Sequence, residues 1–458
     1  MSLDGEMALT AQKRFGLGLL PSGYRQASAD PKAYVLSQLE GYEYRDMSGL
    51  PPSTELLRQL RVWQKQVKAA KAMPAGMADD PNAPNIQKAK NNFVRVQSEN
   101  EADYRIQTAM VSDRPMIERL TDFWAGHFCI SCSKSETVRI IAGAYEREAI
   151  RPFVVGRFRD MLGAVMHHPA MLAYLDNNVS FGPNSKAGQR QNKGLNENLG
   201  RELLELHTVG VNAGYSQEDV TNAARIITGW GIAGDKDPEP GTFRFTPQRH
   251  EPGDFTVMGK TFAAGGEAQG NMLLDMLATH PATARHIAGK LVRHFIGDQA
   301  PASLVDRVAA RFSETNGDLK ETTRALVDAP EAWTTPPSKV IAPYDMAIAA
   351  SRLLWHAVDA RQLVNFARVM GQPLWTPRSP NGFPDNDLAW AAPNAMIKRF
   401  DYALQFSAQA KDAPEPMDLA EATFGAALRP DLATAVKRAA SRPEALATII
   451  MSPEIQVR

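Results

Sequence analysis

The stretch Gly194–Trp230 reads GLNENLGRELLELHTVGVNAGYSQEDVTNAARIITGW. Leu195, Leu199, Leu203 and Leu206 recur at spacings of four, four and three, which makes one apolar stripe along a helix. Glu197 sits in the first turn, where a carboxylate suits the helix dipole, and Gly210 stands just past the last turn. Ser216-Gln-Glu-Asp219 then has the form of a capping box opening a second helix that ends near Gly229. Val220, Ala223, Ala224 and Ile227 give that second helix a buried side. Two amphipathic helices in succession set the expectation of a mainly α protein.

The same stretch is dense in site-forming side chains. At about 100° per residue, Asn198, Arg201, Glu202 and Glu205 share the arc opposite the leucines. Glu197–Arg201 and Arg201–Glu205 are both i,i+4 pairs of opposite charge, so a solvated, salt-bridged face explains them without any function. The functional reading takes Glu202 and Glu205 as acid and base, Arg201 as a binder of an anionic or polar group, and His207 as a further catalytic candidate. Asn196, Asn198, Trp230 and His127 are its substrate-binding candidates. Upstream, Leu175–Gly194 is a long polar loop that this reading uses as a lid, with Asp176 able to offer oxygen to a divalent cation. His207 lies across the wheel from Glu205, so the segment has neither the spacing of a two-histidine zinc helix nor that of a di-iron helix.

Composition removes several function classes. Lys+Arg and Asp+Glu both number 51 in 458 residues, so there is no electrostatic case for nucleic acid or an anionic membrane. Hydrophobic content of 44% and charged content of 22% are those of an ordinary globular chain, and no transmembrane run occurs. There is no GxSxG elbow, Walker loop, HExxH or strand-following GxGxxG. Cys129 and Cys132 form a lone CxxC beside His127, without the βα setting of a redox motif or enough ligands for zinc, so they read as two free thiols. The start, MSLDGEMALTAQKRFG, has neither an apolar signal core nor twin arginines. A cytoplasmic protein is expected, the alternative being a periplasmic one whose signal has been removed.

Along the chain, residues 53–110 read as a projecting helical hairpin with a flexible connector at 72–85. Its first arm has a basic face of Arg58, Arg61, Lys65, Lys68 and Lys71. Residues 115–230 form a central helical core, and alternation at 242–262 predicts one small β-hairpin. A helical half follows over 271–458, with Asn381–Asp387 as a turn-rich loop. The whole, 1–458, is expected to be one large multi-helical body.

Several blocks resemble the bacterial domain-of-unknown-function 1800 family. They are NENLGRELLELHTVGV with YSQEDV and ARIITGW, together with RFGLG at Arg14–Gly18 and WAGHF at Trp124–Phe128. YEREAIRPFVVGRFRDML at Tyr145–Leu162, HPAMLAYLDN at His168–Asn177, HPATARHIAGKLVRHF at His280–Phe295 and GQPLWTPRSPNGFP at Gly371–Pro384 extend the likeness along most of the chain. The family pattern H-D-x-G-x-K is altered here, with Glu251 after His250 and no lysine at Phe255. The resemblance implies no activity, cofactor or catalytic residue. It implies a weak link to the cell envelope and to sulfatase-like proteins as partners. Two functions therefore stand: an enzyme using carboxylate acid/base chemistry, metal-assisted in one variant, at Asn196–His207; or a non-catalytic interaction protein.

Overall fold

The computed structural model describes residues 3–72, 85–355 and 357–458. The connector expected at 72–85 lies almost wholly outside the described residues. Among the described residues the fold is mainly α, with two small two-stranded antiparallel sheets. Proline opens the helices that matter most below, Pro115–His127, Pro281–Phe295 and Pro343–Leu353, at the position where its missing N–H costs nothing. Among the described residues no helix is long and apolar enough to cross a membrane.

The expected hairpin arms are helices Ser53–Lys71 and Ile86–Val111. Leu56, Leu57 and Leu60 of the first and Val94, Ile106 and Ala109 of the second are buried, so the pair is anchored along the body. Arg61 and Lys65 on the basic face pair with Asp235, and Arg58 pairs with Glu55.

Two local expectations need correction. The segment from Asn196 to His207 is not one α-helix. An α-helical turn and a half at Asn198–Glu202 runs into a π turn at Leu203–His207, which leucine spacing alone does not disclose. Nor do residues 242–262 make one hairpin. Strand β1, Trp230–Ile232, pairs with β2, Phe243–Phe245, and β3, Phe255–Val257, pairs with β4, Lys260–Phe262. Met258 and Gly259 join β3 to β4 with φ of 49° and 79°, the two positive angles that a type I′ turn demands. The short β3–β4 hairpin thus closes on itself and leaves β2 to find β1.

Burial separates two apolar cores. The first collects the central helices and those up to residue 332, around Trp124, Phe128, Phe158, Leu291 and Phe295. The second gathers residues from 341 onward, around Ile348, Leu363, Phe366 and Phe406. Two helices belong to both: Leu3–Phe15 gives Phe15 to one core and Leu9 to the other, and Ile86–Val111 gives Val94 to one and Ile106 to the other.

Candidate functional site

At the seam between the cores lies a cavity of about 140 Å³. Helix Pro115–His127 presents Arg119, Asp122 and His127 to it, and helix Pro281–Phe295 presents Lys290 and His294. Tyr344 and Asp345 come from the start of Pro343–Leu353, and the loop 371–390 roofs the space with Trp375, Gly382, Phe383, Asp385 and Trp390. Arg458 reaches the wall because the chain at 456–458 pairs back on 338–341, with Arg458 N–H donating to the Lys339 carbonyl at 2.9 Å. Arg105, Arg119, Lys290, Lys339 and Arg458 face Asp122, Glu146, Asp345 and Asp385.

Most of these charges are mutually satisfied. Glu146, on the π turn Glu146–Ile150, accepts from Arg105 (3.0 Å), Arg151 (3.2 Å) and Trp375 Nε1 (3.1 Å). Asp345 accepts from Arg119 at 3.1 Å and Arg458 at 2.6 Å. Burial raises its carboxyl, but the Arg458 and Arg119 guanidiniums prevail and hold it down near 2. Lys339 Nζ donates to the Arg293 carbonyl (2.9 Å), the Asp385 carbonyl (3.1 Å) and Asp385 Oδ1 (2.5 Å), which uses all three of its protons. Gly382, at φ 82°, stands so near the end of helix Pro115–His127 that a Cβ would meet the Gly126 carbonyl oxygen at 2.8 Å.

Other groups are left incomplete. Arg119 is fully buried, yet its Nε and Nη2 have no hydrogen-bond partner among the described residues; Arg458 Nε and Asp345 Oδ1 are likewise unpartnered there. His294 Nδ1 lies 3.1 Å from the Asp385 carboxylate, so Nδ1 carries the proton and Nε2 keeps an unpartnered lone pair. Burial pushes His294 down to about 4, so it is neutral at pH 7. His127 is fixed in the opposite tautomer. Its Nε2 lies 3.2 Å from the His207 carbonyl, which only accepts, so the Nδ1 lone pair is free to receive Lys290 Nζ at 2.9 Å. Burial, then the Lys290 charge, lower His127 well below its ordinary range. Burial likewise brings Lys290 down to about 8.

The residues singled out from the sequence divide around this cavity. His127 lines it. His207 stands directly behind, buried, its carbonyl holding His127 and its ring 6.2 Å from the His127 ring. Leu206 and His207 end their helical segment, where carbonyls have no donor within the helix: Leu206 O accepts from His286 Nε2 at 3.1 Å as His207 O does from His127. Asn196, Asn198, Arg201, Glu202 and Glu205 do not line the cavity. Asn196 Oδ1 accepts from the Asn198 N–H, and Arg201 joins Glu197 (3.0 Å) to Gln217 (3.1 Å). Glu197 also accepts from Thr221 at 2.7 Å, so this face braces the Asn198–Glu202 helix against Gln217–Ile226. Glu202 and Glu205 are half-buried on the outer side. Trp230 is core, ringed by His167 and Phe243, with its Nε1 unpartnered. Asp176 pairs with Lys134 at 2.5 Å, and the described residues hold no cluster of three or more His, Cys, Asp or Glu arranged for a metal. The polar loop is tied down rather than poised, with Asn184 bonded through N–H and Nδ2 to Glu251 and Asn177 to the Ile227 and Trp230 carbonyls. Cys129 and Cys132 are free thiols, each pushed up to about 12 by burial.

The model of a protein family described as of unknown function, DUF1800, matches residues 10–457. The chain belongs to the DUF1800 family. Four of the blocks that carried the likeness, WAGHF, the start of YEREAIRP, GKLVRHF and GQPLWTPRSPNGFP, meet in this DUF1800 cavity. No curated protein and no solved structure matches the chain. Sequence reading missed Arg119, Lys290, His294, Lys339, Asp345, Asp385 and Arg458. One signal was there: His286, Lys290 and His294 repeat at i, i+4 and i+8, which stacks three titratable groups on one helix face.

Proposed function

We propose that this DUF1800 protein is an enzyme that binds a small anionic substrate in the cavity between its cores and acts on it by acid/base chemistry through His127 and Lys290. The observation that carries the reading is Arg119, a fully buried guanidinium with two nitrogens unpartnered. Neither nitrogen has surface open to the cavity at rest, so a carboxylate or phosphate reaches them by displacing wall side chains, and in doing so supplies the acceptors that a buried cation lacks. Phe123, Ile130, Trp375 and Phe383 offer an apolar wall for the rest of the ligand. Near 140 Å³, the space suits one molecule about the size of benzene. A lysine brought to about 8 and hydrogen-bonded to a neutral histidine is a proton-transfer pair that works near neutral pH.

A second reading keeps the acid/base pair at Glu202 and Glu205. It is favoured by Glu202, which burial, and then Glu205 beside it, push up to about 7. Its substrate would have to be met on the outer face.

Thermal unfolding with added glycolate, inorganic phosphate and the neutral glycolamide tests the first reading. An anion at a hundred times its Kd stabilises by about 2.7 kcal/mol. Stabilisation by at least one anion and not by glycolamide is expected. Equal effects of all three, or none, would leave the cavity without an anion site and favour the interaction-protein alternative.

A further inference from the structure

We propose that Lys290 is a nucleophile that condenses with a carbonyl group of the substrate, so that the substrate class is a small oxo acid. The substrate class rests on the reading of the cavity as an anion site; the nucleophile does not.

Two lysines line the cavity, and their surroundings assign them different work. Lys339 spends every proton on an acceptor and is an ammonium held in place. Lys290 has a single hydrogen-bond partner among the described residues, the lone pair of His127 Nδ1, and the rest of its amine is free toward the cavity. The His127 tautomer is set from behind by the His207 carbonyl, so while that bond holds Nδ1 is an acceptor that donates only after it has itself taken up a proton. A lysine desolvated among apolar walls and cationic neighbours is the setting in which the neutral amine attacks carbonyl carbon. The groups facing Lys290 are His127 and Cys129 from one side, Asp385 from the roof, His207 from the π turn, and His286 and Arg293 on its own helix. Of these only Asp385 is anionic at neutral pH, and Lys339 already neutralises it.

The step balances without a further reactant. The Nζ lone pair forms a bond to the carbonyl carbon, and the carbonyl π pair moves to oxygen. The two amine protons pass in turn, by way of His127 Nδ1, to that oxygen, which leaves as water. A neutral carbon–nitrogen double bond to Lys290 remains, and Arg119 keeps the substrate's anionic end.

Reductive trapping on the whole protein tests this. Glyoxylate is added with cyanoborohydride at pH 7.5, and labelled lysines are located by peptide mass spectrometry. At that pH a lysine near 8 has more than about a hundred times the free amine of an ordinary one. Lys290 should label at least about tenfold faster than exposed Lys65 or Lys71, with a rate that levels off above pH 8 while theirs still climbs. Neutral glycolaldehyde on the same protein, and glyoxylate on Arg119→Met, should both show a smaller preference for Lys290. Preference for Lys290 that is equal with both aldehydes would support the nucleophile and overturn the anion site. Labelling of surface lysines without Lys290, in protein that glycolate still stabilises, would overturn the nucleophile and leave the anion site standing. Neither labelling of Lys290 nor stabilisation would remove both.

Discussion

Glu202 holds a half-buried carboxyl that burial and the neighbouring Glu205 push up to about 7. The folded chain therefore keeps a proton there between about pH 4.5 and 7, where the unfolded chain has released it. More protons on the folded state means that stability falls as pH rises through that window. Glu202→Gln removes the dependence. After discounting for solvent screening, the variant should be about 1 kcal/mol more stable than the parent at pH 8 and equal to it near pH 4.5 by urea unfolding. A variant equally stable at both would show that Glu202 titrates as a free glutamate. The sequence showed Glu205 and Arg201 beside this residue along the chain, but not the burial that contributes most to its shift. Arg119, Asp345 and Arg458 were not legible there, because each acquires meaning only from partners more than a hundred positions away.

Between elements, the close approach of helix Asn198–Glu202 to helix Gln217–Ile226 is set by Gly200. A Cβ at that position would meet the backbone nitrogen and Cα of Ala224 at 2.7 and 2.8 Å. Alanine is favoured over glycine in a helix by about 1 kcal/mol, but overlap with a backbone that cannot rotate away costs about 1–3 kcal/mol. Gly200→Ala should therefore lose up to about 2 kcal/mol in denaturant unfolding, and a gain in stability would mean the two helices slide apart freely. Leucine spacing in this stretch foretold the middle of the buried stripe, where Leu199 and Leu203 are fully buried, while Leu195 and Leu206 at its ends are only partly buried. The Ser216–Asp219 capping box is present as its sequence promised. The π turn was not foreseeable from the same pattern. It shifts the apolar repeat, so that Leu204 is buried and Leu206 only partly so, and the Leu206 and His207 carbonyls at its end accept from histidines on other helices. Likewise the motif Asn381–Asp387 announced a turn but not that it would roof a cavity.

Across the whole molecule, two cores do not make two independent domains. Leu3–Phe15 and Ile86–Val111 run through both, and Arg119–Asp345 joins them across the seam. Leu291→Ala in the first core and Leu363→Ala in the second should each cost about 2–5 kcal/mol and shift the same single transition. Far-UV circular dichroism and tryptophan fluorescence followed together would check this, and two separated transitions would mean that the seam melts on its own. The mainly helical character and the spread of one family from end to end could be read from local patterns. The seam could not, since it exists only once residues 341 onward have folded back against the central helices. One consequence follows from the roof. Where Gly382 meets Gly126, backbone stands so close to backbone that a Cβ on Gly382 would overlap the Gly126 carbonyl oxygen. Peptide groups have no rotamers to exchange, so this edge behaves as a gasket rather than a door. A side chain that can swing aside lies elsewhere in the same lining, where Trp390 is half-exposed.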